Sequence, residues 1–369
     1  MKIKKKTAFF RILSYYLLFL LTASVTFFSY AVIYRGRTEP PAERFVTNTN
    51  PAMYSSAQFQ AFAKSDPLLN QYNISTPNSP LNSSFYVIPG LKSTQTLSYP
   101  DTPEICTSMT PQGLTVTEDY LFISAYCHTG SHNSVLYMLD KEAHSFIKEI
   151  ILPGRNHAGG LAYDPIHQNL WVAGRERGVA QANYFSLEAL ESYCFDDTRS
   201  PLDYTEKYFL YGITRDSFLT YYDQSLYVGF FTTDADSVIE KFAIDSHGGL
   251  KEQLDREWGL NMQVPVAEDI VMISGKAQGI AFCEDRLFIS QSYGIFPSKL
   301  RIFDHFSAVS LKDYHAEQSY SFPCQMEQIC VNGDSLYILF ESAAYSYQAY
   351  APVIMDRVLK IDLDVLHPG

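Results

Sequence analysis

From residue 85 onward, apolar and polar positions alternate over short runs that turn formers interrupt at steady intervals. A period of two is the mark of half-buried strands. Five segments share one template: QGLTVTEDYLFISAY from Gln112, GGLAYDPIHQNLWVAG from Gly159, DSFLTYYDQSLYVGF from Asp216, QGIAFCEDRLFISQSYG from Gln278, and EQICVNGDSLYILFES from Glu327. In each, a short apolar strand leads into a turn and then a second strand of the form Leu-aromatic-aliphatic. The turns are Glu118-Asp119, Asp164-Pro165, Asp223-Gln224, Glu284-Asp285 and Asn332-Gly333-Asp334, all residue types that favour reversals. Third strands follow as SVLYMLD, SVIEKFAID, KLRIFD and RVLKIDL.

The template anchors Leu114, Leu161, Phe218, Ile280 and Ile329 are 47, 57, 62 and 49 residues apart. That period suits propeller blades and exceeds most solenoid repeats. A ring of small sheets buries faces that one sheet alone would leave exposed. The reading is an all-β chain, a β-propeller over residues 85–369. The repeat count gives five blades, and dividing the length by about 47 residues per blade gives six. The last repeat lacks a fourth strand, which residues 85–91 are placed to supply.

Before the repeats the pattern changes twice. Residues 12–34 are uncharged and bounded by Arg11 and Arg35, long enough for the about 20 residues that a membrane-spanning helix needs. Residues 1–11 carry Lys2, Lys4, Lys5, Lys6 and Arg11 and no acid, an excess that holds a tail in the cytoplasm and exports the remainder of the chain. Ser29, Tyr30 and Ala31 also fit a signal-peptidase site, so a retained anchor competes with a cleaved leader, and the longer apolar run favours the anchor. Residues 35–84 are rich in Pro, Asn, Ser, Thr and Gln and read as an extracytoplasmic linker with a short helix over 52–64. Asn73 and Asn82 head glycosylation sequons, which matter only in a eukaryotic secretory route.

Composition narrows the partners. The net charge is −12, and without the basic tail −17, so nucleic acid is excluded as a partner by the lack of a cationic footprint. Tyr 27 and Phe 25 against Trp 2 suit pleated sheets. Six cysteines in an exported chain permit disulfides. The spacing predicts Cys106 with Cys127 first and Cys324 with Cys330 second, leaving Cys194 and Cys283 as buried thiols.

In a propeller, residues opening the innermost strands and residues ending the second strands meet at one mouth of the channel. The first row is Gln112, His157, Arg215 with Asp216, Gln278 and Glu327. The second is Tyr126 to His128, Arg175, Phe230 with Phe231, Ser290 to Tyr293, and Glu341 with Ser342. Such a ring is what a concave ligand site with convergent polar groups requires. His157, Glu327 and Glu341 are the catalytic candidates; Gln112, Arg175, Gln278, Ser292 and Tyr293 are the ligand-binding ones. Each has a plainer alternative. His157 is a general base or a channel histidine bonded to a carbonyl. Glu327 and Glu341 are an acid/base pair, ligands for one hard cation such as Ca²⁺, or carboxylates neutralised by Arg175 or Arg215. Tyr293 is a ligand contact or a core ring. Gly113, Gly159, Gly160 and Gly279 answer to crowding at the axis. Cys127, His128 and His132 carry zinc-type donors but form no second cluster, and read as loop decoration.

No G-x-S-x-G, HExxH, P-loop or paired CxxC occurs, which disfavours a serine hydrolase or zincin. Pro111-Gln112-Gly113, His157-Ala158-Gly159-Gly160, Gln278-Gly279, Ser290-Gln291-Ser292-Tyr293-Gly294 with Ser298-Lys299-Leu300, Met326-Glu327 and Phe340-Glu341-Ser342-Ala343 together resemble a set of uncharacterised exported bacterial propellers. That set is distantly like the gluconolactonase and strictosidine-synthase-like propellers. The resemblance spans residues 90–363 and implies a propeller with a polar channel mouth; the metal-binding Glu, Asn and Asp of lactonases are missing. The expectation is a membrane-anchored propeller binding a small molecule or a cell-envelope polymer. A hydrolase or lyase acting on a sugar or lactone, and an envelope scaffold, are the alternatives.

Overall fold

Turn formers at the template positions close antiparallel hairpins, and each hairpin grows outward into a sheet of at least four strands. The computed structural model describes residues 2–35, 53–70, 85–213, 217–255, 259, 261–304 and 310–366. From the axis outward, the first blade is Met109–Val116, Tyr120–Cys127, Val135–Asp140 and Phe146–Ile151. The second is Leu161–Asp164, Asn169–Glu176, Val179–Ser186 and Glu206–Leu210. The third is Phe218–Tyr222, Ser225–Gly229, Ser237–Ala243 and Asp269–Ile273, with Ser310–Leu311 added in parallel at its edge. The fourth is Ala277–Cys283, Arg286–Gln291, Ser298–Asp304 and Gln318–Phe322. In the fifth, Met326–Asn332, Ser335–Phe340 and Arg357–Asp362 are joined by Phe85–Val87, which pairs Phe85 with Leu359 and Val87 with Arg357.

The chain is therefore a five-bladed propeller whose first strand completes its last blade, not a six-bladed one. The 57- and 62-residue spacings that allowed six hold insertions instead. Helices Leu187–Ser192 and Phe195–Thr198 lengthen the second blade, and the hairpin Glu252–Leu254 with Gln263–Pro265 lengthens the third. Phe85 and Tyr86 are 9% and 1% exposed; burying two such rings stabilises the closure by about 2–3 kcal/mol each.

At the axis the innermost strands approach so closely that Gly279 admits no side chain, since a Cβ there would lie 2.8 Å from Gln328 Cα. The packing reading of the glycines holds at that position. Gln328, 1% exposed, plugs the channel. Its Oε1 accepts from the Leu114 and Leu161 amides at 2.9 and 2.8 Å, and its Nε2 donates to the Leu161 and Leu219 carbonyls at 2.6 and 2.8 Å. One side chain from the fifth blade thus ties the inner strands of the first three and separates two mouths.

Within the stretch read as a linker, residues 53–70 fold onto the propeller. Ser55 and Gln58 form a capping box that starts the helix Ser56–Ser65. Its buried Phe59 meets Phe85 edge-on at 5.0 Å, with the Arg357 guanidinium 5.2 Å above the Phe59 ring. Asn73 and Asn82 lie outside the described residues. At the N-terminal end one helix, Lys2–Arg35, contains the window Ile12–Tyr30, long and apolar enough to cross a membrane, with none of it buried.

All six cysteines are described and none is in a disulfide, which corrects both expected pairs. Cys324 and Cys330 sit before and near the end of one extended strand. The Cys324 sulfur is turned to the Val353 carbonyl and the Cys330 sulfur to the Val331 carbonyl. Cys106 and Cys127 do meet, as thiols within hydrogen-bonding reach of each other, with the Ser108 hydroxyl beside both sulfurs and the His132 ring beside that of Cys127. Cys194 is exposed and Cys283 partly so, not buried.

Candidate functional site

The mouth at the starting ends of the inner strands opens into a cavity of about 630 Å³, a size usual for small-molecule sites. Gln112, Gln278 and Glu327 reach it from inner strands of the first, fourth and fifth blades. His157 reaches it from the loop before the second blade's inner strand. Arg175, Ser292, Tyr293 and Glu341 come from the ends of second strands or just beyond. The structure thus brings all eight nominated side chains to one hollow. Phe231 and Ser217 line it as well. Arg215 and Asp216 lie outside the described residues. Phe230 turns instead into the apolar core between the second and third blades, and Ser342 accepts the Met355 amide at 2.9 Å.

Glu327 and Glu341 form the floor, at 3% and 7% exposure. Their carboxyls hydrogen-bond each other. Burial, then the charge of Glu341, holds Glu327 well above the carboxylate range. Burial pushes Glu341 up to about 7, although bonds from Glu327, Gln112 and Tyr347 favour its charged form. Once Glu341 ionises, above about pH 7, two carboxyls this close share the one remaining proton: Glu327 is then the acid that donates, and Glu341 the carboxylate that accepts. Gln112 Nε2 donates to Glu341 Oε2 at 2.9 Å, and Gln278 Nε2 to Glu327 Oε1 at 3.3 Å. Among the described residues neither carboxyl has an ion pair, and Arg175 donates to the Gly178 carbonyl at 3.2 Å. The neutralising role considered for Arg175 is not what the structure shows.

The wall is largely aromatic, with Arg175 as a charged member. The His157 ring lies 4.3 Å from that of Tyr126. Although its surface opens onto the cavity, the enclosing protein and then neighbouring His128 hold its pKa below the usual value, so the imidazole is neutral at pH 7. Burial likewise raises the Tyr126 and Tyr347 hydroxyls, with Glu341 adding to both. Both therefore remain donors. Phe231 and Tyr293 flank the opening with ring centroids 6.3 Å apart, and Lys276 Nζ lies 5.6 Å over the Tyr293 ring.

Three contributors were missed in the sequence. Tyr347 and Tyr350 come from the long connection between the second and third strands of the fifth blade, whose length was the available signal. Gln325 is 3% exposed and lines the cavity with its Oε1 unpartnered. It is also left-handed, at φ +61°, as is Lys276 at φ +65°. Each stands immediately before an inner strand, and each carbonyl accepts the amide of a cavity residue: Glu341 to Gln325 and Ser292 to Lys276, both at 3.0 Å. Such backbone strain is held in place where surrounding structure over-determines it.

The opposite mouth, beyond Gln328, is a hollow of about 490 Å³ lined by Thr115, Lys141, Tyr163 and Asn332 among others. Among the described residues its lining holds one carboxylate, Glu118.

No family model matches the chain, and no curated protein matches it. Solved structures do. Hydrazine synthase from Kuenenia stuttgartiensis is 11% identical over 62% of this chain and 55% of that one, little more than half its length, with a TM-score of 0.35. The RRP9 WD40 repeats are 10% identical over 75% and 99%, with a TM-score of 0.36. A chain of a nidogen/laminin complex is 11% identical over 70% and 84%, with a TM-score of 0.35. At these values none of them bears on what the chain does, and the five-bladed architecture rests on its own strand pairing.

Proposed function

We propose that this is a membrane-anchored extracytoplasmic propeller that binds a small molecule, or one unit of a cell-envelope polymer, at the mouth lined by Glu327 and Glu341. The observation that carries the reading is the carboxyl pair on the floor of an aromatic and amide-rich cavity whose lining also holds Arg175. The floor offers one acid proton and one carboxylate, Gln325 an unused acceptor, and Phe231 with Tyr293 a stacking surface. A ligand rich in hydroxyl or amine donors, with one apolar face, satisfies all of them; a sugar ring has that chemistry.

Binding is favoured over glycoside hydrolysis by the same pair. Glycosidase carboxyls stand at least about 5 Å apart so that the scissile bond fits between them, whereas these two are in direct hydrogen-bond contact. The basic tail and apolar helix support the anchored, exported placement.

Titration calorimetry of the full chain in detergent, against envelope saccharides and amino sugars, tests the reading. Binding that falls at least about tenfold in Gln112→Ala and Glu341→Ala supports it, as about 1.4 kcal/mol per lost charged hydrogen bond implies. Binding unchanged by both substitutions refutes it. Turnover of a sugar or lactone abolished by Glu327→Gln would establish the enzymatic alternative.

A further inference from the structure

Behind the cavity wall stands a second group of side chains that the ligand site does not use. Cys127 follows Tyr126 on the second strand of the first blade, and alternation along a strand turns the two to opposite faces. On that far side Cys127 meets Cys106, which ends the hairpin Thr94–Ser98 with Thr102–Cys106, and His132, from the loop before the blade's third strand. All three are buried, and their two sulfurs and one ring nitrogen lie within 4.8 Å of one another. Cys127 Sγ is 3.4 Å from His132 Nδ1. The other ring nitrogen, Nε2, is 3.5 Å from Glu104 Oε2.

We propose that Cys106, Cys127 and His132 bind one thiophilic d¹⁰ cation, Zn²⁺ or Cu⁺, through two thiolates and His132 Nδ1. Thiolate and imidazole together select such ions over Ca²⁺ or Mg²⁺, which take oxygen ligands. With Zn–S near 2.3 Å and Zn–N near 2.0 Å, ligand atoms around a tetrahedral ion stand about 3.5–3.8 Å apart. The observed spread needs only a small closure to reach that. Glu104 on the distal nitrogen is the carboxylate partner that metal-bound histidines usually have, fixing the tautomer that leaves Nδ1 as the donor atom. Binding releases the thiol protons to water, and a fourth Zn²⁺ position is left to a water molecule. The ion pins the hairpin 94–106 to the rim of the first blade, directly behind Tyr126. The proposal shares no side chain with the ligand site and does not rest on it.

The full chain in detergent, kept reduced, stripped with chelator, loaded with Zn²⁺ and desalted, is the test. Expected are about one zinc per chain by elemental analysis, a higher melting temperature than the stripped chain, and loss of both in Cys127→Ser and His132→Ala. Glu104→Gln should retain the ion with affinity weakened about ten- to a hundredfold. Should those variants fail to fold, Co²⁺ in the wild-type chain gives an independent readout, a thiolate-to-cobalt charge-transfer band. The proposal is overturned if the reduced chain retains no zinc, if Cys127→Ser retains as much as wild type, if Co²⁺ binds without that band, or if mass spectrometry of the unreduced chain finds Cys106 and Cys127 joined as a disulfide.

Discussion

Two side chains fix the character of the channel, one through protonation and one through hydrogen bonding. Glu341 titrates near 7 in the fold and near 4.3 in an unfolded chain. Between those values the folded chain holds a proton that the unfolded chain has released, so this contribution to stability is present at low pH and is lost as pH rises through the window. Glu341→Gln removes the group. Relative to wild type, the variant should gain about 2 kcal/mol between pH 5 and pH 8 in denaturant titrations, and parallel profiles for the two chains would contradict the shared proton. Gln328 is the other. Gln328→Leu leaves two amides and two carbonyls of neighbouring inner strands without their side-chain partner, and at about 1 kcal/mol or more each unfolding should be easier by at least about 3 kcal/mol. A loss under about 1 kcal/mol would show that the plug is dispensable.

At the scale of elements, most of the architecture was legible because each blade repeats a local signal. Turn formers such as Asp164-Pro165 and Asn332-Gly333 mark the hairpins, and the Leu-aromatic-aliphatic second strands mark the buried faces. Insertions obscured the blade number, since residue spacing does not distinguish a sixth sheet from helices at 187–198 or a hairpin at 252–265. The helix at 56–65 was legible only as a short helix over 52–64, and its docking through Phe59 was not, because the partner Phe85 lies beyond residues whose pattern gives no register. The two rows of the mouth followed from strand ends alone. Gln325 and Lys276 did not, since a left-handed conformation in non-glycine residues is imposed by the completed ring and leaves no trace in residue type. Cys106 could be placed near Cys127 from hairpin order, but the approach of His132, across a loop, could not. The closing strand carries its own test: a chain starting at Pro89 loses Phe85, Tyr86 and the helix that covers Phe85, and by the about 5 kcal/mol estimated for the rings its melting temperature should fall by about 10 °C or more. A melting temperature within a few degrees of wild type would mean that the fifth blade does not need its latch.

On the scale of the whole molecule, the ring converts distant sequence positions into one opening, while the N-terminal segment holds one helix long and apolar enough to cross a membrane. If the positive-inside bias sets the orientation, protease added to the outside of intact cells should digest the propeller and spare residues 1–11, whereas protection of the propeller until lysis would put it in the cytoplasm. Everything proposed for function rests on the cavity at the starting ends of the inner strands. Crystals of the full chain soaked with a saccharide set that includes amino sugars test it most directly. Density is expected between Gln112, His157 and Glu327, in contact with the carboxyl pair; density confined to the outer blade edges or to the opposite mouth beyond Gln328 would contradict the account.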